Sequence, residues 1–345
     1  MDFDSFIRNI RWRFGKIFYS HERQKWQTTI FANEDFRKGK IIPLQKYSPN
    51  KPVKAIERKR VICIYDGKAK NGGLADRLRG IVSVYKICKK QRLEFKIIFN
   101  SPFKLEKFLE PNIVDWHIAE EELNYNTKIT DVCYIDTQTG SDYEAGKQKE
   151  WFTKEFRRGY KEYHVRTNAI FSYKSDYSTL FNELFKPSSR LQASIDREKS
   201  NLGTQYISTS FRFMNLLGDF NETTGICAQL PKEEKEELIE KNLKQLETLH
   251  KQFPEKKILV NSDSVTFLEH ASNLEYVYII PGDVTHIDAN GGNDEYEVYE
   301  KTFLDFFMIA NAQKIYLMRT GQMYNSGYPF AASLIYSKPF EKIEF

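Results

Sequence analysis

The sequence predicts an α/β protein: two Rossmann-like domains facing across a cleft, preceded by an amphipathic helical extension. Three observations predict it. Residues 60–99 read strand, glycine loop, helix, strand. Residues 205–336 alternate strand and helix. The chain has 345 residues, more than one typical domain needs. The expected organisation is an extension over 1–55, a first domain over 56–190 and a second over 191–345.

In the extension, Phe3, Phe6, Ile7, Ile10, Phe14, Ile17 and Phe18 recur at helical spacing. Arg8, Arg11, Arg13 and Lys16 fall largely elsewhere on the wheel. A helix over 3–18 can lie on an anionic membrane surface or dock on the protein's own core. Residues 37–60, rich in Lys, Arg and Pro, read as a connector.

The first domain opens with RVICIYD, Arg60–Asp66, an apolar β-branched run suited to a buried strand. A loop containing Gly72 and Gly73 follows, then a helix from Leu74 to Lys89 and a strand at Phe95–Phe99. Residues 102–109 read as a short helix, Val132–Ile135 as a strand, and 147–163 as a charged helix. Two helices, Leu180–Phe185 and Ser188–Lys199, flank Pro187 at the crossover. In the second domain a strand at 205–213 precedes a helix over Lys232–Gln252, whose Leu238, Ile239, Leu243, Leu246 and Leu249 form an apolar stripe. Pro254 stops it. Then come strand Lys257–Val260, helix Val265–Ala271, strand Tyr276–Ile280, helix Tyr299–Ala312, strand Lys314–Met318 and helix Pro329–Tyr336.

Composition excludes several classes. Hydrophobic residues at 41% and charged residues at 29% describe a globular chain. Aromatics at 14% fit large cores. A net charge of +5 is too diffuse to predict nucleic-acid binding. No pair among Cys63, Cys88, Cys133 and Cys227 has C-x-x-C spacing, so neither a zinc site nor a redox dithiol is expected. The first residues do not read as a signal peptide, and no apolar run reaches the ~18 residues of a membrane span. The expectation is a cytoplasmic protein, with residues 3–18 a candidate for peripheral attachment to the inner face of a membrane.

Four candidate motifs fall at the carboxyl ends of predicted strands, where open α/β sheets bind ligands. The first is Asn71, Gly72, Gly73 with Asp76, Arg77 and Arg79, a loop entering a helix. Arginines near a helix N-terminus oppose its dipole by several tenths of a kcal/mol each, so at least one is expected to face a carboxylate or a ligand. The second is Arg212, with Asp219 expected to orient it. The third is Asn261–Ser264, where Asp263 and Ser264 can cap a helix or contact a ribose or base. The fourth is Tyr324–Ala332, with Ser326, Gly327 and Tyr328 placed for a phosphate or base. The polar loop 282–297 holds His286 and Asp288 and reads as a lid. Nothing resembles a calcium loop, a nucleophile elbow or a metal cluster.

The segments GGLADRLRGI and SFRF…GD, the Asp263–Ser264 turn, Asp305 and Ser326-Gly-Tyr…Ala331 resemble the fucosyltransferase superfamily, which includes nodulation α-1,6-fucosyltransferases and protein O-fucosyltransferases. The resemblance spans roughly residues 60–340. It implies a GT-B fold and metal-independent, inverting transfer of fucose from GDP-fucose to a glycan acceptor, with no cofactor. It also implies that Arg212 neutralises the leaving diphosphate, and that the nucleotide lies among Arg212, Asp219, Asp263, Ser264, Ser326, Gly327 and Tyr328. Asp76 replaces the family's amide with a carboxylate and is the first candidate base. Ser210 stands where the family pattern has histidine, and Gly218–Asp219 come later than in that pattern. Two other readings stay open: another nucleotide-sugar donor on the same fold, or a non-catalytic glycan- or nucleotide-binding peripheral membrane protein.

Overall fold

The computed structural model describes residues 46–68, 72–135, 142–168, 176–220, 228–283, 287 and 294–345. The amphipathic segment 3–18, Asn71, His286 and Asp288 lie outside the described residues. Among the described residues no helix is long and apolar enough to cross a membrane.

In chain order the elements are β1 (Arg60–Tyr65), α1 (Leu74–Gln91), β2 (Glu94–Phe99), β3 (Leu109–Pro111), β4 (Thr130–Ile135), α2 (Asp142–Glu155), β5 (Glu162–Thr167) and α3 (Tyr177–Leu184). They continue with β6 (Phe185–Pro187), α4 (Ser189–Leu202), β7 (Tyr206–Phe211), α5 (Lys232–Gln252), β8 (Lys257–Ser262) and α6 (Val265–Ala271). The last are β9 (Val277–Tyr278), α7 (Tyr296–Asn311), β10 (Ile315–Arg319), α8 (Tyr328–Ile335) and β11 (Phe340–Glu344).

The chain divides into two compact units. The first holds the described residues up to Gly72, with those of Asp76–Ser101 and Val114–Tyr173. The second holds Gly73–Ala75, Pro102–Ile113 and the described residues of Lys174–Phe345. The first is built on a four-stranded parallel sheet of order β2-β1-β5-β4. The second is built on a five-stranded parallel sheet of order β11-β10-β7-β8-β9. It also carries a small antiparallel pair, β3 with β6.

β1 is buried along its whole length, as a central parallel strand should be. Ile62, Ile64, Ile98 and Leu123 form an apolar cluster of the first unit. Cys63 and Cys133 are buried free thiols. In the second unit α5 presents Ile239, Leu246 and Leu249 to a core that includes Ile207, Ile258, Val260, Phe267 and Met318. Each such side chain contributes roughly 1.5–3 kcal/mol through burial. The aromatic content also goes into the core. Phe108 and Phe303 stack with ring centroids 4.2 Å apart, and Phe103 packs on Tyr299 at 4.6 Å.

Three expectations need correction. The charged helix expected over 147–163 is α2, which ends at Glu155, and its last residues instead begin a strand, β5. That strand lies between β1 and β4 and is buried throughout, although its sequence, EYHVRT, alternates charged residues. Glu162 pairs with Arg60 and His164, and Arg166 with Asp66, inside the protein, which removes the cost that usually keeps such a pattern at the surface. The short helix expected over 102–109 is a single 3-10 turn, Leu105–Lys107, followed by β3. A final edge strand, β11, lies beyond the last expected helix.

Candidate functional site

In the second unit the chain runs outward from β7 through β8 to β9, then returns to place β10 on the other side of β7. The strand order therefore reverses between β7 and β10. The carboxyl edge at such a reversal is where ligands bind in open α/β sheets. Arg212 follows β7 there, and its carbonyl accepts a hydrogen bond from the Tyr324 amide at 2.9 Å. That bond ties the loop after β7 to the loop after β10.

The loop after β7 is held by Asp263, which follows β8. The Asp263 carboxylate accepts from the Phe213 amide at 2.8 Å and the Met214 amide at 2.7 Å. It also lies 3.3 Å from the Arg212 guanidinium. Met214 takes φ 54°, an unfavourable left-handed conformation for a side chain of its size, which the two amide bonds help to hold. Burial pushes the Asp263 carboxyl above its ordinary range, and Arg212 with the two amides offsets only part of that. Arg212 also sits over the Phe220 ring, 4.9 Å from its centroid. Its side chain is 17% exposed, so it is packed in place but reachable. On the penultimate residues of β7 and β8, Ser210 Oγ and Asn261 Oδ1 are buried with no partner among the described residues.

Asp219 does not orient Arg212. Its carboxylate accepts from Ser264 Oγ at 2.8 Å and from the Thr266 amide at 2.7 Å, at the start of α6. Ser264 Oγ in turn accepts from the Phe267 amide at 3.1 Å. Both residues thus serve as a helix cap. Among the described residues, the carboxylate on Arg212 is Asp263. Gly218 takes φ 80°, and a side chain there would run into Gln229. After β10, Ser326 Oγ accepts from the Tyr328 amide at 3.3 Å, and Gly327 is the N-cap of α8. The Tyr328 hydroxyl donates to the Thr302 carbonyl and its ring packs on Phe306. The sheet edge thus gathers Arg212, Asp263, Ser326 and Gly327 onto adjoining loops, while Asp219, Ser264 and the Tyr328 hydroxyl are spent on local structure.

In the first unit, Gly72 takes φ 68°, and a Cβ there would meet the Asp76 carboxylate at 2.7 Å. Asp76 pairs with Arg79 at 2.5 Å. The expected carboxylate partner for an arginine is therefore its own neighbour one turn away. Arg77 closes the loop instead, donating from Nε to the Gly72 carbonyl and from Nη1 to the Ser101 carbonyl, both at 2.8 Å.

A second charged cluster surrounds β5, and sequence reasoning missed it. Glu162 accepts from Arg60 Nε at 2.7 Å, from the Asn124 amide at 2.8 Å and from His164 Nε2 at 2.6 Å. An ionised carboxylate only accepts, so the His164 proton sits on Nε2 and Nδ1 accepts from the Tyr47 hydroxyl. Burial holds His164 below the ordinary value of 6.5, against the raising effect of Glu162, so the ring is neutral. Burial pushes Glu162 upward, but its bonds from His164, Asn124 and Arg60 outweigh that and leave it lowered. Beside this chain Arg166 pairs with Asp66 at 2.7 Å. Asp66 is lowered too, because Arg166 and local backbone amides overcome its desolvation. The signal that could have found this cluster is the period-2 placement of Glu162, His164 and Arg166.

No protein-family model matches the sequence, and no curated protein is similar to it in sequence. Solved structures are similar in fold. The nodulation α-1,6-fucosyltransferase NodZ soaked with GDP-fucose superposes with a TM-score of 0.51 and 13% identity, covering 81% of this chain and 93% of that one. The fold is similar to that of this fucosyltransferase. NodZ from Bradyrhizobium gives 0.52 and 14%, covering 81% of this chain and 94% of that one. A variant of Arabidopsis thaliana FUT1 in complex with GDP gives 0.52 and 12%, covering 90% of this chain and 74% of that one.

Proposed function

We propose that the protein is a glycosyltransferase that transfers fucose from GDP-fucose to a glycan acceptor, with inversion and without a metal, in the synthesis of a surface polysaccharide or glycoconjugate. The observation that carries the reading is Arg212 at the strand-order reversal of the second sheet, held by Asp263 and Tyr324. Two similar folds were solved with GDP or GDP-fucose, which supports a nucleotide-sugar donor. As the glycosidic bond to the nucleotide breaks, negative charge grows on the departing diphosphate. A preorganised guanidinium stabilises that charge without reorganising at the moment of reaction. Its planar fork matches phosphate oxygens bidentately. Asp263 lies against the fork, and Ser210 Oγ and Asn261 Oδ1, near the carboxyl ends of β7 and β8, are polar atoms without a partner among the described residues. The acceptor hydroxyl must lose a proton late in the reaction. Asp76, 41% exposed and paired with Arg79, is the carboxylate to test first for that role.

Calorimetry with GDP, UDP and CMP tests the donor. GDP should bind tightest, and Arg212→Ala should weaken it by at least about thirtyfold, ~2 kcal/mol, with the near-UV circular dichroism unchanged. Unchanged GDP affinity in a folded variant would remove the reading. Transfer from GDP-fucose should persist in excess EDTA, and loss of activity there would end the metal-independent part of it.

A further inference from the structure

Every strand of the first sheet is entered through a basic residue. Arg58 stands two residues before β1, Arg92 two before β2, Lys128 two before β4 and Lys161 one before β5. The parallel register brings these entries to one edge. The Glu94 amide donates to the Lys59 carbonyl at 3.1 Å, the Arg60 amide to the Lys161 carbonyl at 3.0 Å and the Lys161 amide to the Ile129 carbonyl at 2.8 Å. With strands spaced about 4.8 Å apart, the row is roughly 15 Å long. Arg58, Arg92, Lys128 and Lys161 are exposed, and none of their side chains has a hydrogen-bond or ion-pair partner among the described residues. Nearby carboxylates are taken: Glu94 lies 3.7 Å from Lys96, Arg158 holds Asp131 and Glu155, and Arg60 and His164 hold Glu162. Glu57, exposed beside Arg58, offsets one charge of the row. Lys59 adds to the row; burial, and then Lys161, hold its ammonium below the ordinary value. The dipole of α1 accounts for Lys89, Lys90 and, just beyond them, Arg92, but no helix ends at Arg58, Lys128 or Lys161. In the second sheet, lysines at the same edge have partners. Lys256 donates to Gln313 Oε1, Lys257 to the Glu275 carbonyl at 2.5 Å, and Lys314 pairs with Glu341 at 2.7 Å.

We propose that the amino edge of the first sheet is a docking surface for an anionic lipid membrane. The proposal does not use the glycosyltransferase reading. The segment that leads to this edge carries Val53, 58% exposed, between the exposed Lys51 and Lys54. An aliphatic side chain among cations suits the boundary between headgroups and acyl chains. Ahead of it in the chain, residues 3–18 combine the same sign of charge with aromatic residues. Proteins that bind single-stranded nucleic acid add exposed aromatic rings to their basic grooves. The large exposed aromatics among the described residues, Tyr324 and Tyr336, belong to the second unit. Each cation held near an anionic lipid surface strengthens binding by about fivefold.

The test is sedimentation of the whole chain with vesicles of phosphatidylcholine, alone or mixed equally with phosphatidylglycerol. The mixed vesicles should carry the protein down and the neutral ones should not. Salt at about 1 M, where the screening length falls to about 3 Å, should weaken the binding. Arg58→Gln, Arg92→Gln, Lys128→Gln and Lys161→Gln should each weaken it by about fivefold, and by at least about a hundredfold together. Lys232→Gln, on α5 of the second unit with its side chain 89% exposed, should leave it unchanged. A second measurement needs no variant: the mixed vesicles should protect Lys128 and Lys161 from acetylation, but not Lys232. Equal binding to both kinds of vesicle, wild-type binding by the combined variant, or equal acetylation of the three lysines would overturn the proposal. Displacement from the vesicles by a single-stranded oligonucleotide at matched ionic strength, with Lys128 and Lys161 still protected, would also overturn it and assign the edge to nucleic acid. Calorimetry with GDP reads the donor site separately, and the combined variant should keep the wild-type affinity. A wild-type chain that binds the mixed vesicles but not GDP would overturn the glycosyltransferase reading and leave the membrane surface standing.

Discussion

Both parallel sheets place an arginine–aspartate pair at a carboxyl edge beside their first strand, yet the two pairs are built in opposite ways. In the first unit Asp66 and Arg166 meet at 2.7 Å, next to the side-chain chain Arg60, Glu162, His164, Tyr47. In the second unit Arg212 and Asp263 are 3.3 Å apart, and Asp263 gives its best bonds to the backbone amides of Phe213 and Met214. The first arrangement neutralises charge inside a core. The second uses the carboxylate to shape a loop, with the guanidinium 3.3 Å from it.

The comparison breaks most visibly at Glu162. Changing it to Ala leaves Arg60 buried beside no carboxylate and removes the acceptor for His164 and Asn124. The expected loss is about 3–5 kcal/mol in urea unfolding, the usual cost of stripping one partner from a buried ionic network. A loss under about 1 kcal/mol would mean that the cluster is not the structural element of its unit. Asp263→Ala should come next, at about 2–4 kcal/mol, since two buried amides lose their acceptor together. The same variant should lose GDP affinity although Asp263 touches no phosphate in this scheme, because the loop that carries Arg212 is no longer fixed. Wild-type affinity in Asp263→Ala would show that Arg212 does not depend on it.

These two networks were legible in the sequence to different degrees. The helices Lys232–Gln252 and Val265–Ala271 begin and end where the periodicity and caps predict, because an apolar stripe, Pro254 and Ser264 are all local signals. Arg212 was also visible, as a cation at the end of a strand. Its partner was not: Asp263 comes from the next strand, and only the parallel register, in which Phe211 lies opposite Ser262, brings the two together. Asp219 lay nearer in sequence and was the wrong partner for that reason. The β5 cluster was hidden more deeply. Alternating charges read as a solvated surface unless the opposite charges are known to be waiting on other strands and loops, and Arg60, Asn124 and Tyr47 are all remote in sequence from β5. Strand β11 was missed because its half-exposed sequence, FEKIE, lacks an apolar run.

The difference between the units should also appear in pH dependence. His164 is neutral in the folded protein with its pKa held below 6.5. Below that value an unfolded chain takes up a proton that the folded one refuses. The folded state is therefore stabilised above about pH 6.5 and loses that stability as pH falls toward the lowered pKa, at up to ~1.4 kcal/mol per pH unit for this one group. Glu162 and Asp66, both lowered, add their own losses only below the ordinary carboxylate range. Asp263 has the opposite sign. Its raised pKa means that the folded state tolerates its protonation, so acid does not destabilise through that group. Thermal melts between pH 5 and 7.5 should show the midpoint falling as pH is lowered, and His164→Phe should flatten the slope. An unchanged slope in that variant would place the acid sensitivity elsewhere.

The smallest effect concerns Asp219 and sharpens the assignment of the second site. Its carboxylate closes the start of α6 through Ser264 and Thr266 and makes no contact with Arg212 among its described bonds. Asp219→Asn keeps an acceptor in place and should cost less than about 1 kcal/mol, while Asp219→Ala should cost about 1 kcal/mol as a lost cap. Neither should change GDP affinity by more than about twofold, in contrast to Asp263→Ala. A large affinity loss in Asp219→Asn with the melting temperature unchanged would return this residue to the nucleotide and reopen the division of labour between the two aspartates.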